Sequence, residues 1–219
     1  PVTIILGFPP GGASDAAMRI MQPVLQAALG QPVVIDNRAG AGGNIGAQAV
    51  ARAAPDGHTI GSANIGTLAV NPALVRNMGF DPMTDLMPIS TIFNAVNVLV
   101  CPANRPFNSV ADIIAAAKAR PGAISMGTQG NATAGHLGLV QFARAAGIEV
   151  IHAPYRGGAD AARDLAGGNL DGVFITALSA GPVVDSGRAR FLAVASAARL
   201  AARPDVPTIA ESGFPGFDI

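Results

Sequence analysis

Apolar positions along this chain fall in short blocks separated by glycine-rich breaks. Residues 2–6, Val2-Thr3-Ile4-Ile5-Leu6, form a β-branched run that suits a strand buried on both faces. It ends in Gly7-Phe8-Pro9-Pro10-Gly11-Gly12, which neither continues a strand nor sits inside a helix. From Ser14 onward, Ala17, Met18, Met21, Val24, Leu25 and Ala28 recur at helical spacing, with Ser14 or Asp15 as the expected N-cap. Gly30 stops that helix, and Pro32-Val33-Val34-Ile35 reads as the next strand.

The alternation continues. Residues 40–46 lead into a helix over 47–54, Pro55-Asp56-Gly57 turns, and residues 58–61 return as a strand. A second series runs through a strand at 96–100, a helix at 109–119, a strand at 123–126 and a helix at 133–146. It adds a strand at 149–152, a helix at 158–167, a strand at 172–175 and another strand over 190–195. Repeated strand–helix alternation predicts an α/β fold with parallel-rich sheets flanked by helices. Two lobes are expected, residues 1–99 and 100–219.

Half of the 219 residues are apolar, enough for a sizeable core. Fourteen basic and 14 acidic residues cancel, so no broad basic field exists to attract nucleic acid. No apolar run reaches the roughly 20 residues that cross a bilayer. The only cysteine, Cys101, excludes an internal disulfide and a cysteine metal cluster, and reads as a small buried residue at a strand end. The opening Pro1-Val2-Thr3-Ile4 has no basic or apolar leader in front of it, as expected of a mature or trimmed product.

Candidate chemistry gathers where predicted strands give way to helices. In residues 8–15, unpaired helix N–H groups and the helix dipole favour an anion near Phe8, Pro9, Gly11, Gly12, Ala13 and Ser14. The same loop also reads as a tight connector, and Asp15 as a cap. Asn64 and Thr67 leave one strand with small polar groups, and Thr128, Asn131 and Thr133 leave another. Tyr155 either walls a pocket or packs. The cluster Gly40-Ala41-Gly42-Gly43-Asn44-Ile45-Gly46 departs from a dinucleotide fingerprint: Ile45 stands where glycine is needed, and residues 61–64 hold no acidic ribose ligand.

His58, His136 and His152 show no metal-protease spacing, and no nucleophile elbow occurs. His136 reads as a satisfied helix histidine and Arg156 as structural. No cofactor and no metal site is expected, and the chain is read as a non-enzyme.

Four segments together resemble a known family: residues 7–12, residues 37–46, residues 54–59 and His152-Ala153-Pro154-Tyr155-Arg156-Gly157. Asn71-Pro72-Ala73-Leu74, Asp205-Val206-Pro207-Thr208 and Gly213-Phe214-Pro215-Gly216-Phe217 add to them. The chain resembles the Bug-type substrate-binding receptors of tripartite tricarboxylate transporters. That resemblance implies a two-lobe periplasmic binding protein of the type II class, closing on a small organic carboxylate in an interlobe cleft. It implies a di- or tricarboxylate or aromatic acid as ligand, and membrane permease components as partners. Loops around residues 8–14, 64–67 and 128–133 would look out on the cleft. Thr176 stands in a segment where many relatives carry an acidic residue. Relatives continue beyond the block at 213–217, so the first lobe is expected to be incomplete without a C-terminal return segment. A sensory module docking on a membrane receptor is the main rival, an α/β enzyme a weaker one.

Overall fold

The computed structural model describes residues 1–219. The chain divides into two compact units: residues 1–94 with 131–133, and residues 95–130 with 134–219. The expected division at 99/100 falls inside a strand, Asn97–Pro102, which belongs wholly to the second unit.

The first unit opens with β1 (Val2–Leu6), α1 (Ala13–Leu29) and β2 (Val33–Asn37). A 3-10 turn at Ala41–Gly43 leads into α2 (Asn44–Ala51) and β3 (Thr59–Ser62). A π-helical turn, Gly66–Val70, runs on into α3 (Asn71–Leu74). The sheet order is β2-β1-β3, and both pairings are parallel. Alternation along β1 sends Val2, Ile4 and Leu6 towards Met18 of α1, while Ile5, equally buried, points to the opposite face. Ile20, Val24, Met83, Met87 and Ile89 stay exposed.

The second unit contains β4 (Asn97–Pro102), α4 (Val110–Ala119), β5 (Ile124–Thr128), α5 (Ala134–Ala146) and β6 (Val150–Pro154). It continues with α6 (Gly158–Ala166), β7 (Gly172–Thr176), α7 (Ala177–Asp185) and β8 (Ala189–Val194). The order is β6-β5-β7-β4-β8. β5 pairs parallel with β6 and β7, whereas β4 runs antiparallel to β7 and β8. The sheet is therefore mixed. Leu99, Ile124, Met126 and Phe174 pack under α4 and α5 on one face, and Val98, Val100, Val173 and Ile175 pack under α6 and α7 on the other.

Most expected elements form within one or two residues of their predicted bounds. The π-helical turn, α3 and α7 have no counterpart among the expected elements, and α7 contains Gly181 and Pro182, both poor helix formers. Cys101 is fully buried in β4, its Sγ 3.2 Å from the Phe107 carbonyl oxygen.

The glycine cluster has a packing role. A Cβ on Gly46 would lie 2.7 Å from the Gly7 Cα, and one on Gly7 would lie 2.8 Å from the Gly43 Cα. Backbone therefore meets backbone where α2 starts over the end of β1. Helix propensity alone predicts that Gly46→Ala stabilises by about 1 kcal/mol, but overpacking typically costs about 1 to 3 kcal/mol. We expect the steric term to win, giving a lower urea midpoint for Gly46→Ala; a raised midpoint would mean that the contact yields easily.

Candidate functional site

In the first unit, β1, β2 and β3 share a direction, so all their carboxyl ends lie on one edge. β1 runs into the loop of Phe8, Pro9, Gly11 and Gly12. Gly11 has φ 79°, a left-handed value that favours glycine, whereas Gly12 at φ −77° is unstrained. Gly12, not Ser14 or Asp15, is the N-cap of α1, and no side chain caps it. Ala13 and Ser14 follow in the first turn, so their N–H groups lack partners within the helix.

Asp15 holds this loop from behind. Its Oδ2 accepts from the Gly11 N–H and from Arg19 Nε, each at 2.9 Å. Its Oδ1 accepts from Asn37 Nδ2 at 3.2 Å, and the same Nδ2 donates to the Phe8 carbonyl at 3.0 Å. Burial pushes the Asp15 carboxyl up, but Arg19, the Gly11 N–H and Asn37 outweigh it and hold the group below its ordinary value.

After β3, Asn64 and Thr67 bind each other. The Thr67 N–H donates to Asn64 Oδ1 at 3.1 Å, the Asn64 N–H donates to Thr67 Oγ1 at 3.0 Å, and that hydroxyl donates to the Asn64 carbonyl at 3.0 Å. Thr67 is 1% exposed. Its hydroxyl therefore shapes the loop. Asn71 Nδ2 donates to Asn44 Oδ1 at 2.7 Å, a second buried polar pair. Asn131 and Thr133 group with this unit. A Cβ on Gly42 would meet the Asn131 carbonyl oxygen at 2.8 Å.

In the second unit, β5, β6 and β7 end together on one edge, where α5, α6 and α7 begin. Thr128 is fully buried, its Oγ1 2.7 Å from His152 Nε2 and 3.3 Å from the Gly130 nitrogen. The Tyr155 hydroxyl donates to Asp164 Oδ2 at 2.7 Å, and burial with that carboxylate pushes its pKa up to about 12. Tyr155 thus packs and braces α6. Thr176, the N-cap of α7, donates its hydroxyl to Ser179 Oγ at 2.9 Å and caps nothing. Gly157 starts α6, also without a side-chain cap. Arg156, expected to be structural, is exposed and makes no ion pair or side-chain hydrogen bond.

α4 shows the opposite arrangement. Because β4 is antiparallel to β7, α4 begins on the other edge of the sheet, and there Ser109 and Asp112 form a complete capping box. Side chains close the helix end on that edge. On the edge carrying the predicted residues, α6 and α7 are left without such closure, and so is α1 in the first unit. Partial positive charge is thereby offered at those ends. Two surface hollows, of about 550 and 350 Å3, lie elsewhere and are lined by none of the predicted residues. Asn37, His152 and Asn97, whose Oδ1 accepts from Gln129 Nε2 at 3.3 Å, support these loops, yet none of them stands among the residues that the sequence marks for the site. Their signal in the sequence is no more than a polar residue inside or beside an apolar strand.

An α/β architecture of this kind is that of solved periplasmic binding proteins. Residues 17–219 match the tripartite tricarboxylate transporter family receptor, and the chain belongs to that family, which is one of receptors and not of enzymes. It is similar to BugT of Bordetella pertussis, 37% identical over 218 residues covering 99% of this chain and 67% of the relative. A Rhodopseudomonas palustris protein solved with adipate is 37% identical, with a TM-score of 0.96 over 100% of this chain and 73% of that one. MatC of the same organism, solved with bound malate, is 27% identical, with a TM-score of 0.91 over 100% and 74%. The chain spans 65% of the length of a Pseudomonas relative that is 38% identical to it. No helix is long and apolar enough to cross a membrane.

Asp15→Ala strands the Gly11 N–H, the Asn37 amide and the Arg19 guanidinium, and should cost about 1 to 3 kcal/mol at neutral pH. A carboxyl with a depressed folded pKa stabilises above its unfolded value and ceases to do so as pH falls through the folded one. The difference in thermal midpoint between wild type and Asp15→Ala should therefore shrink below about pH 4. A gap that stays constant down to pH 2 would show that Asp15 acts through packing alone.

Proposed function

We propose that the protein is a periplasmic solute receptor that captures a small organic carboxylate, a di- or tricarboxylate or an aromatic acid, and hands it to the membrane permease components of a tripartite tricarboxylate transporter. The observation that carries this reading is the contrast in capping. On the strand-carboxyl edges α1, α6 and α7 start without a side-chain cap, and α4, on the opposite edge of its sheet, is closed by Ser109 and Asp112. Open helix N-termini attract anions. The adipate and malate held by two similar proteins are of the same chemical class.

Within the predicted set, roles divide by what each group already touches. Ala13 and Ser14 offer backbone N–H groups, the Gly12 N–H reaches the Pro9 carbonyl at 3.4 Å, and Asn131 and Thr133 group with the same unit. Phe8, Pro9 and Gly11 set their own loop, Asn64 and Thr67 bond to each other within the first unit, and Thr128, Tyr155 and Thr176 bond to His152, Asp164 and Ser179 within the second. A ligand held largely by backbone depends on no single arginine.

A thermal-shift screen of adipate, malate, citrate and benzoate tests the reading. At 100 times its Kd a ligand adds about 2.7 kcal/mol to apparent stability, so at least one acid should raise the midpoint and be recovered unchanged. Indifference to every acid with a response to nucleotides or sugars would overturn it. Gly12→Ala is the sharper probe, because the added Cβ would touch only the Pro9 carbonyl oxygen, at 3.4 Å. The free variant should melt close to wild type and lose most of the acid-induced shift, while Arg156→Ala should keep it.

A further inference from the structure

Two histidines from different elements lie face to face beside the loop that follows β5. His136 is the third residue of α5 and His152 the middle residue of β6; their ring centroids are 4.1 Å apart and their planes differ by 6°. His152 lies opposite Met126 in the register, on the face where Val150 packs with α5. Its Nε2 reaches the Thr128 hydroxyl at 2.7 Å.

That hydroxyl is a junction with three neighbours. Besides His152 it accepts from the Gly130 N–H at 3.3 Å and lies 3.4 Å from the Gly130 carbonyl oxygen. A hydroxyl has a single proton to donate. If Nε2 is bare, the proton goes to His152, by far the shortest of these contacts; if Nε2 carries hydrogen, it must turn towards Gly130. The loop beyond needs such a brace, because Gly130 sits at φ 128° and Ala132 at φ 60°, and a non-glycine residue in that region is strained. Burial and the neighbouring His136 ring push His152 down to about 4, so at neutral pH the ring stays uncharged and keeps an acceptor nitrogen.

We propose that His152, with His136 stacked on it, is a positioning residue of the ligand site. Its bare Nε2 accepts a hydrogen bond from the Thr128 hydroxyl and so holds residues 128–133 in the shape that presents Asn131 and Thr133. The inference rests on the carboxylate-receptor reading and adds to it a residue that never touches the ligand. The stack keeps the His152 ring from rotating away from Thr128, and it disfavours a second positive charge in the pair.

The experiment combines nitrogen NMR of the imidazoles in the wild type with calorimetry on three variants, using whichever of adipate or malate the wild type binds. The NMR spectrum at pH 7 should show His152 neutral with hydrogen on Nδ1. His152→Phe keeps a flat ring for the stack and removes the acceptor; it should weaken binding about tenfold. His152→Gln, which can still accept from Thr128, should restore much of that loss, a rescue that a purely packing role would not give. Thr128→Val should weaken binding as much as His152→Phe, and the double variant should be no worse than either alone. Hydrogen on Nε2, or additive losses in the double variant, would overturn the proposal even if no variant fails to fold. A wild type that binds no acid overturns the receptor reading and the positioning role with it. A wild type that binds, with His152→Phe unaffected, overturns the positioning role alone.

Discussion

Parallel pairing is the constraint on which the rest of the structure depends. A strand that must run beside its predecessor in the same direction has to be re-entered from the same end, so each crossover helix begins at the strand-carboxyl edge. In the first unit this applies to β1, β2 and β3, and in the second to β5, β6 and β7. Helix N-termini accumulate on those edges as a by-product of topology. On those edges α1 and α6 start at Gly12 and Gly157 without a side-chain cap, whereas α4, which starts on the opposite edge, is sealed by Ser109 with Asp112.

Leaving helix ends open has a structural cost, and the loops meet it with polar groups turned inward. Asp15, Asn37, the Asn44–Asn71 pair, the Asn64–Thr67 pair and the Thr128–His152 contact all bind loop backbone or one another. Buried polar groups stabilise only when satisfied, and these are. Glycines add a second device: Gly7, Gly43 and Gly46 let α2 approach β1 without side chains between them. Loops with few protruding side chains let another molecule approach the backbone closely.

Most of the fold is legible in the sequence because short apolar runs and glycine breaks report local structure directly. β1, α1 and the series from β4 to β8 follow from periodicity. What escapes such a reading is non-local or locally disfavoured. α7 carries Gly181 and Pro182 and forms because Ala180 and Val183 are buried against the sheet. The antiparallel β4 cannot be told from a parallel strand by its residues, since both are continuously apolar. For the site, the loops are legible and the roles within them are not. Thr67 and Thr128 look like outward polar groups in a sequence, and their hydroxyls turn out to bond to Asn64 and His152; Tyr155, which either walls a pocket or packs, bonds to Asp164, and Thr176 bonds to Ser179. Partners this distant in the chain, as His152 is from Thr128, leave no periodic trace.

The antiparallel strand also sets a timetable. β4 is the first strand of its unit to leave the ribosome, yet it lies between β7 and β8, with Asn97 opposite Thr176 and Val98 opposite Val194. Its neighbours are therefore the last strands of the unit to be made. Closing such long loops is entropically expensive and slow. Until residue 194 has emerged, the apolar stretch of β4 lacks its full set of partners, so the nascent chain stays open to chaperones and proteases far longer than a fold of local contacts would.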